Sequence, residues 1–358
     1  MADIWNGDNS DNAFSTAANY EGDSAPANTN TVVFPAMAED SGDNVDGSDE
    51  SSTLLASVQV EDNCYLTFGS RATYLQIDTD EFIYEGAGQS FFHLHNCQNA
   101  YVHHAAYAGG DYTHGLSLVS EAAGTARTAN ADHSSTTQLV FLDQDYSDDF
   151  AVGSTVYNST DGTYHTVTSS TGSTNGGDDD GDDDTVVVVT PAASTSFAGL
   201  SVQAVSVGVL TVDPGQDRPV GVAALGGESA SISGLVVASG DVEMGDAVTI
   251  ISRVALMGGK LTNNGDVPTM DVSGGTLTQV RNNPTTLNID KGRVYYNSAD
   301  MPTTVTIGPK GILDMSKDGR AKTIATVNLY PGGQIIDPGN ILTITTLARQ
   351  QGGNLKYS

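Results

Sequence analysis

Three residues that can bind a transition metal alternate along one short segment of the chain. His93, His95 and Cys97 stand at every second position, and every second side chain of a β-strand points to the same face. Two imidazoles and a thiolate are ligands that zinc accepts. However, three such side chains stand in a row along a strand, where convergence on one ion is awkward. We therefore predict no resident metal or cofactor, with these three residues as the alternative. Further histidines follow closely in the sequence: His103, His104 and His114.

A second group of residues that could act in catalysis consists of carboxylates. Asp78 and Asp80 share a strand face, and Glu81 and Glu85 follow. Paired carboxylates supply the general acid and the base or nucleophile of glycan-cleaving enzymes. The surrounding half of the chain is so rich in acids that such a pair arises by chance, and a single Trp offers little for stacking sugar rings. No phosphate-binding glycine loop or serine elbow is present. The sequence therefore predicts a protein that is not an enzyme.

The elements that would position these residues are indicated by a repeated glycine-x-aliphatic step. Successive glycines of the step are separated by roughly 16 to 22 positions, which is typical of the coils of a β-solenoid whose corner varies in length. Short alternating strands such as 286–289, 304–307 and 326–329 lie between the steps. The glycines of the repeat are Gly240, Gly259, Gly275, Gly292, Gly311 and Gly333.

The fold expected from this repeat is an all-β solenoid, or β-helix. Val, Ile and Leu from successive coils would stack into one core, and glycine would permit the positive φ of a tight corner. A β-sandwich is the alternative, but its turns recur at intervals of roughly 8 to 12 residues. The longer spacing favours the solenoid.

Four stretches divide the chain. Residues 1–50 are interpreted as an N-terminal cap and an acidic loop, and residues 51–142 as a first, less regular solenoid region. Residues 143–196 contain a hairpin, with strands 152–157 and 163–167, followed by an Asp-rich linker at 178–184. Residues 197–358 are predicted to form the regular C-terminal solenoid.

Charge is distributed very unevenly. Residues 1–217 contain 33 acidic residues and two bases, whereas residues 218–358 contain 11 acidic residues and 12 bases. A negative field of this size excludes nucleic acid and anionic membranes as partners. Two interpretations are combined: adaptation to a saline or halophilic environment, and an acidic half that faces solvent while the neutral half lies against a partner. Calcium binding is a third, but no complete calcium loop is present.

Several short motifs at the amino terminus resemble a known sequence pattern. Ile4 to Gly7, Ser15 to Tyr20, Pro26 and Thr31 to Phe34 resemble the W-x-G…STAANW…VP…DTVVF opening that precedes β-solenoids in many tailed-virus structural proteins and bacterial surface proteins. Residues 68–71 and 74–77 are similar to the next coil of the viral members. Tyr20 stands where Trp is usual, and Asn30 replaces the common Asp. The resemblance implies a β-solenoid virion protein.

Trp5 has a structural role in this interpretation. With Phe14, Tyr20 and Phe34 it would form an apolar plug over the first open coil, which would otherwise expose strand edges. The opening residues lack the basic and apolar regions of a secretory signal, and no apolar run is long enough for a membrane span. Cys64 and Cys97 are expected to be buried thiols. These features favour assembly inside a cell and release by lysis.

The function expected from these observations is that of a structural protein on the exterior of a tailed virus particle, most simply a capsid decoration or turret protein. Its partners would be the major capsid protein or other virion proteins, together with sister subunits in a homo-oligomer, with a trimer favoured. A tail fibre or tailspike that binds, or also cleaves, a host surface glycan is the alternative. A cellular adhesin is a third possibility, disfavoured by the missing export signal.

Overall fold

The computed structural model describes residues 2–7, 12–36, 44–103, 115–121, 126–132, 134–142, 145–147, 149–150, 152, 154–158, 163–174, 183–190, 193, 196–198, 201–215, 219–224 and 229–349. Within these residues the chain forms strands and one short 3-10 helix, Ala17–Asn19. Most of the strands wind into a parallel β-solenoid of about 12 turns. The all-β solenoid predicted from the glycine repeat is confirmed.

One parallel ladder, ladder A, runs the full length of the solenoid and contributes one strand to each coil. Its strands, labelled in chain order, are β1 Ala2–Ile4, β2 Thr31–Phe34, β4 Asp49–Val60, β6 Leu75–Tyr84, β8 Cys97–Val102, β16 Val207–Val212, β18 Ala230–Val237, β20 Val248–Leu256, β22 Thr269–Val272, β24 Thr286–Tyr296, β25 Thr304–Asp314, β26 Lys322–Leu329 and β28 Leu342–Arg349.

A second parallel ladder, ladder B, forms the other main face. The carboxyl-terminal parts of β24 and β25 belong to it after bending at the corner. Its other strands are β3 Asn44–Val45, β5 Thr67–Phe68, β7 Ser90–His95, β9 Leu116–Ser120, β17 Pro219–Val222, β19 Asp241–Met244, β21 Lys260–Asn263, β23 Thr276–Gln279 and β27 Gln334–Ile336.

The core follows from the alternation of each strand. In β24, Leu287 and Ile289 are fully buried, whereas Thr286 and Asn288 are partly exposed on the outer face. Parallel pairing in register places Leu287 beside Val305 of the next coil. Repetition of this pairing builds a single apolar cluster that extends from Trp5 to Ile335. Burial of such stacked aliphatic side chains is the main stabilising contribution.

The glycines of the repeat line one corner between the two ladders. Gly240, Gly259, Gly275 and Gly292 all have positive φ, from 65° to 87°. Successive corners also touch through the backbone, because the amide of Thr276 donates to Gly259 O at 2.9 Å. A side chain there would be both strained and obstructed.

The last two glycines of the repeat differ from the expected conformation. The backbone of Gly311 has no positive φ, but a Cβ at this position would lie 2.0 Å from the carbonyl oxygen of Ile289. In the final corner the positive φ belongs to Gly332, at 91°, one residue before Gly333. Close approach of neighbouring coils, rather than the dihedral angle, therefore accounts for glycine at Gly311.

Aromatic side chains fill the amino-terminal end of the solenoid. Trp5 is 1% exposed and makes an edge-on contact with Tyr20, with ring centroids 5.3 Å apart. Phe14 packs against Tyr20 and Phe34 at 6.2 Å and 6.1 Å. Tyr20 also donates its hydroxyl to Phe14 O at 2.7 Å. Trp5 forms an antiparallel bridge with Tyr20, whereas β1 and β2 pair in parallel, so the chain folds back across the first coil.

An insertion interrupts the solenoid and forms a separate antiparallel sheet. Its strand order is β10-β15-β12-β13-β14-β11, and it has its own small core, which includes Phe141, Phe150 and Phe197. The strands are β10 Arg127–Thr128, β11 Gln138–Phe141, β12 Thr155–Asn158, β13 Thr163–Thr174, β14 Asp183–Thr190 and β15 Ser201–Val205.

The insertion covers more residues than the range 143–196 that the sequence predicts. The expected hairpin is present as β12 and β13, paired from Thr155↔Thr166 to Asn158↔Thr163. Strands on both sides extend the sheet to residues 127–205, and the solenoid resumes at Val207 rather than at residue 197. In the Asp-rich segment, residues 178–182 lie outside the described residues, and Asp183 already belongs to β14.

The solenoid continues across the insertion without losing register. β8 precedes the insertion and β16 follows it, yet they pair in parallel from Cys97↔Val207 to Val102↔Val212. The next coil is therefore laid directly on the preceding one, and the insertion projects from the junction. Thr155 anchors it by donating its hydroxyl to Asn96 O at 3.0 Å, and Gln98 donates its side-chain amide to Thr166 Oγ1.

Candidate functional site

The two histidines of the predicted metal-binding segment lie side by side on the outside of the solenoid. In β7, Phe92 and Leu94 point into the core, and the alternation places His93 and His95 on the outer face, partly buried. Their rings stack with centroids 4.2 Å apart. The two imidazoles are therefore held together by strand geometry and by packing of the residues between them.

Cys97 does not share this face. Asn96, between β7 and β8, has a positive φ of 52° and reverses the alternation. Cys97 therefore points inward and is fully buried, and its thiol donates to Asn99 O at 3.3 Å. Burial raises the pKa of the Cys97 thiol well above its usual range, which disfavours the thiolate that binds metals. The expected alignment of the three side chains fails at the turn between the strands.

Glu121 takes the third position beside the two imidazoles. β9 pairs with β7 so that Leu94 lies opposite Ser120, which places the next residue, Glu121, beside His95. One nitrogen of each imidazole and one carboxylate oxygen of Glu121 all lie within 4.8 Å of one another. Of these contacts, His95 Nδ1 and Glu121 Oε1 lie 3.6 Å apart. Sequence alone gives no signal for Glu121, which is distant from His95 along the chain.

Burial favours the neutral form of both imidazoles. Burial, followed by the charge of His95, lowers the pKa of His93 to about 4. Burial also lowers the pKa of His95, against the opposing effect of Glu121 and Asp49. Neutral imidazole is the form that binds a metal ion. Of the other histidines noted in this region, His103 is exposed and stacks on Tyr101 at 6.0 Å, whereas His104 and His114 lie outside the described residues.

The predicted carboxylate pair lies on the neighbouring strand β6. Burial, with a smaller contribution from Asp80, raises the pKa of Asp78 to about 6, although Asn96 donates to Asp78 Oδ2 at 2.9 Å. Burial also raises the pKa of Asp80. One oxygen of each carboxylate is buried and makes no hydrogen bond within the described residues. Glu81 instead accepts a hydrogen bond from Ser57 at 3.2 Å, and Glu85 directly follows the end of β6.

A groove of about 380 Å³ lies between the insertion and ladder A. Tyr157 of β12 forms one side, and Val209, Gly234 and Arg253 of successive coils form the other. Gly234 stands between Val209 and Arg253 in register and has no side chain, which leaves space for the groove. The groove combines an aromatic ring and a guanidinium, but it does not bring together the imidazoles or the carboxylates described above.

Comparison of the chain with protein-family profiles, with curated proteins and with solved structures gives no match. Within the described residues, no helix has the length and apolar character needed to cross a membrane. Functional interpretation therefore depends on the residues of this chain and their geometry.

Proposed function

We propose that this chain is a non-enzymatic structural protein of a tailed virus particle, where it decorates the exterior of the capsid. The observation that carries the proposal is the single apolar cluster from Trp5 to Ile335. It joins every coil on both sides of the insertion into one continuous rod. Such a rod suits a mechanical role, in which length and rigidity matter more than a converging set of reactive groups. The resemblance of the segment 4–34 to the opening of viral solenoid proteins supports the same role.

Charge supports an orientation for the rod. The acidic half, residues 1–217, would face the medium, and the neutral half would dock on the major capsid protein or on sister subunits. In the neutral half, bases pair with acids on neighbouring coils, so little net charge is left to oppose docking. Three such pairs are Lys260 with Asp241 at 3.6 Å, Arg253 with Asp271 at 3.8 Å and Arg293 with Asp314 at 3.3 Å.

The proposal is tested by counting copies in purified particles. Quantitative gel densitometry against the major capsid protein should give hundreds of copies of this chain per particle, and immunogold labelling should cover the shell. A count between a few and a few dozen, with label at one vertex, would instead place the chain in a tail appendage. Light scattering of the isolated chain after size-exclusion chromatography should give the mass of a trimer.

The second candidate function is recognition and cleavage of a host surface glycan by a tail fibre or tailspike. The observation that favours it is the partly buried pair Asp78 and Asp80, because a general acid needs a raised pKa such as that of Asp78. Incubation with the host's surface polysaccharide should then release new reducing ends, and Asp78→Asn should abolish the release. Polysaccharide of unchanged length after incubation with the wild-type chain would exclude cleavage, and absence of binding to the same polysaccharide would exclude this candidate as a whole.

A further inference from the structure

We propose that His93, His95 and Glu121 bind one Zn²⁺ ion on the outer face of the solenoid. Two imidazole nitrogens and one carboxylate oxygen form a donor set that zinc commonly accepts, with water in the fourth position. The proposal does not depend on the virion role, because it concerns the junction between the solenoid and the insertion.

The hydrogen bonds of His95 determine which nitrogen is free for a metal. His95 Nε2 lies 3.3 Å from Gln76 Oε1. A carbonyl oxygen can only accept a hydrogen bond, so Nε2 carries the proton of the neutral ring. His95 Nδ1 then carries no proton, and its lone pair faces Glu121 Oε1, which is 3.6 Å away. A hydrogen bond to the far nitrogen is the usual means of orienting a metal-binding imidazole.

This arrangement places two electron-pair donors opposite each other. A lone pair and a carboxylate oxygen repel unless a proton or a cation lies between them. A cation held between His95 Nδ1 and Glu121 Oε1 would remove this repulsion. His93 gives an independent indication, because its Nε2 is buried and has no hydrogen-bond partner within the described residues. A buried nitrogen without a partner is costly unless a ligand uses its lone pair.

The geometry requires only a small contraction. The three donor atoms lie within 4.8 Å of one another, whereas donors around tetrahedral zinc at about 2.1 Å are about 3.4 Å apart. The backbone of both histidines is fixed by β7, so the contraction takes place through side-chain rotation, and the side chain of Glu121 is 61% exposed. Rotation of this side chain can bring its oxygen toward the rings without moving the backbone.

The location gives the ion a structural role. Glu121 directly follows β9, at the point where the chain leaves the solenoid for the insertion. The two histidines belong to the coil beneath it. A bound ion would therefore fasten the departing chain to the preceding coil, in the way that structural zinc sites contribute to folding energy.

The test uses the full chain without a histidine tag, stripped with a chelator and titrated with Zn²⁺ in competition with a chromophoric chelator. We expect one equivalent to bind with a dissociation constant of about 1 μM or lower. Glu121→Gln and His95→Ala should each weaken binding by at least about tenfold. The matched controls are Glu61→Gln and His103→Ala, since both residues are exposed and lie outside the cluster; they should bind as the wild type does.

A second measurement distinguishes loss of zinc binding from loss of folding. Because Glu121 is an exposed side chain, Glu121→Gln should keep the far-ultraviolet circular dichroism of the wild type. At the same Zn²⁺ concentration, Zn²⁺ should raise the unfolding temperature of the wild type more than that of Glu121→Gln. Absence of stoichiometric binding, or equal weakening by the control substitutions, would overturn the proposal.

Discussion

Gly275 lies directly above Gly259 in the corner of the solenoid, so close that a Cβ on Gly275 would be 2.5 Å from the carbonyl oxygen of Gly259. Its φ is 70°. Gly275→Ala should therefore combine left-handed strain with a backbone clash and destabilise the protein by about 3 kcal/mol. Calorimetry should show a lower unfolding temperature.

Two other glycines separate strain from clash in this experiment. Gly215 has a φ of 83° but no atom within 4 Å of the point where a Cβ would lie, and Gly319 has neither a positive φ nor a close neighbour. Gly215→Ala should cost about 1 kcal/mol, and Gly319→Ala less than about 0.5 kcal/mol. Equal losses for all three substitutions would show that close approach of the corners is unimportant.

A buried pair of amides links two coils inside ladder B. Asn263 donates its side-chain nitrogen to Gln279 Oε1 at 3.0 Å, and both residues are 0% exposed. Gln279 in turn donates to Arg281 O at 2.6 Å. Gln279→Leu should leave buried polar groups without partners and cost about 2 to 3 kcal/mol. The loss is measured by equilibrium unfolding in urea.

A double-mutant cycle gives the control for this pair. Asn263→Leu combined with Gln279→Leu removes both amides and should cost less than the sum of the single substitutions. Strict additivity would mean that the two side chains do not act as a unit.

The buried aromatic side chains at the amino-terminal end, Trp5, Phe14, Tyr20 and Phe34, should protect the first coil from association. Trp5→Ala removes the largest of the buried rings at the amino-terminal end, which should cost about 3 to 5 kcal/mol and expose the edge of β1. Size-exclusion chromatography should then show time-dependent aggregation. Tyr65→Ala is the matched control, because Tyr65 is 44% exposed; aggregation of this variant at the same rate would contradict a capping role for Trp5.

The stability of the carboxyl-terminal coils should depend on pH through Asp318. Hydrogen bonds from Arg320 hold the pKa of the Asp318 carboxyl well below its usual range, and the fully buried Lys322 ammonium lies 2.9 Å away. In the unfolded chain the Asp318 carboxylate takes up a proton near pH 4, whereas in the folded chain it stays ionised at that pH. The free energy of unfolding should therefore fall as the pH drops below about 4.

Asp318→Asn tests this dependence. At pH 7 it should cost about 2 to 3 kcal/mol, because it leaves the Lys322 charge buried with a weaker partner. At pH 3 the difference from the wild type should narrow, as measured by urea unfolding at both pH values. The exposed Asp300 supplies the control, and Asp300→Asn should show no such change between the two pH values. A loss of the same size at pH 3 and pH 7 would contradict the assignment to Asp318.

Salt should stabilise the chain as a whole. Residues 1–217 contain 33 acidic residues and only two bases, so their carboxylates repel one another. Salt screens this repulsion, with a Debye length of about 10 Å at 0.1 M. Calorimetry between dilute buffer and 2 M NaCl should show a higher unfolding temperature in salt, by at least about 2 °C. An unchanged temperature would contradict adaptation to a saline environment.

The sequence by itself determined the repeating architecture of this protein. The glycine step and the alternation of strands such as 286–289 predict the solenoid, because both depend on local geometry that repeats with each coil. The apolar residues at Trp5, Phe14, Tyr20 and Phe34 could likewise be named in advance. Charge could be counted, although its effect on partners stays a prediction.

Only the tertiary structure decided which distant residues meet. The positive φ of Asn96 turns Cys97 into the core and separates it from the histidines, and no periodicity signals that turn. Glu121 reaches His95 only because β9 stacks on β7 in a particular register. The extent of the insertion could not be predicted either, since its antiparallel pairings join residues as distant as Arg127 and Val202. Such long-range registers depend on how coils and sheets pack together, which local sequence does not specify.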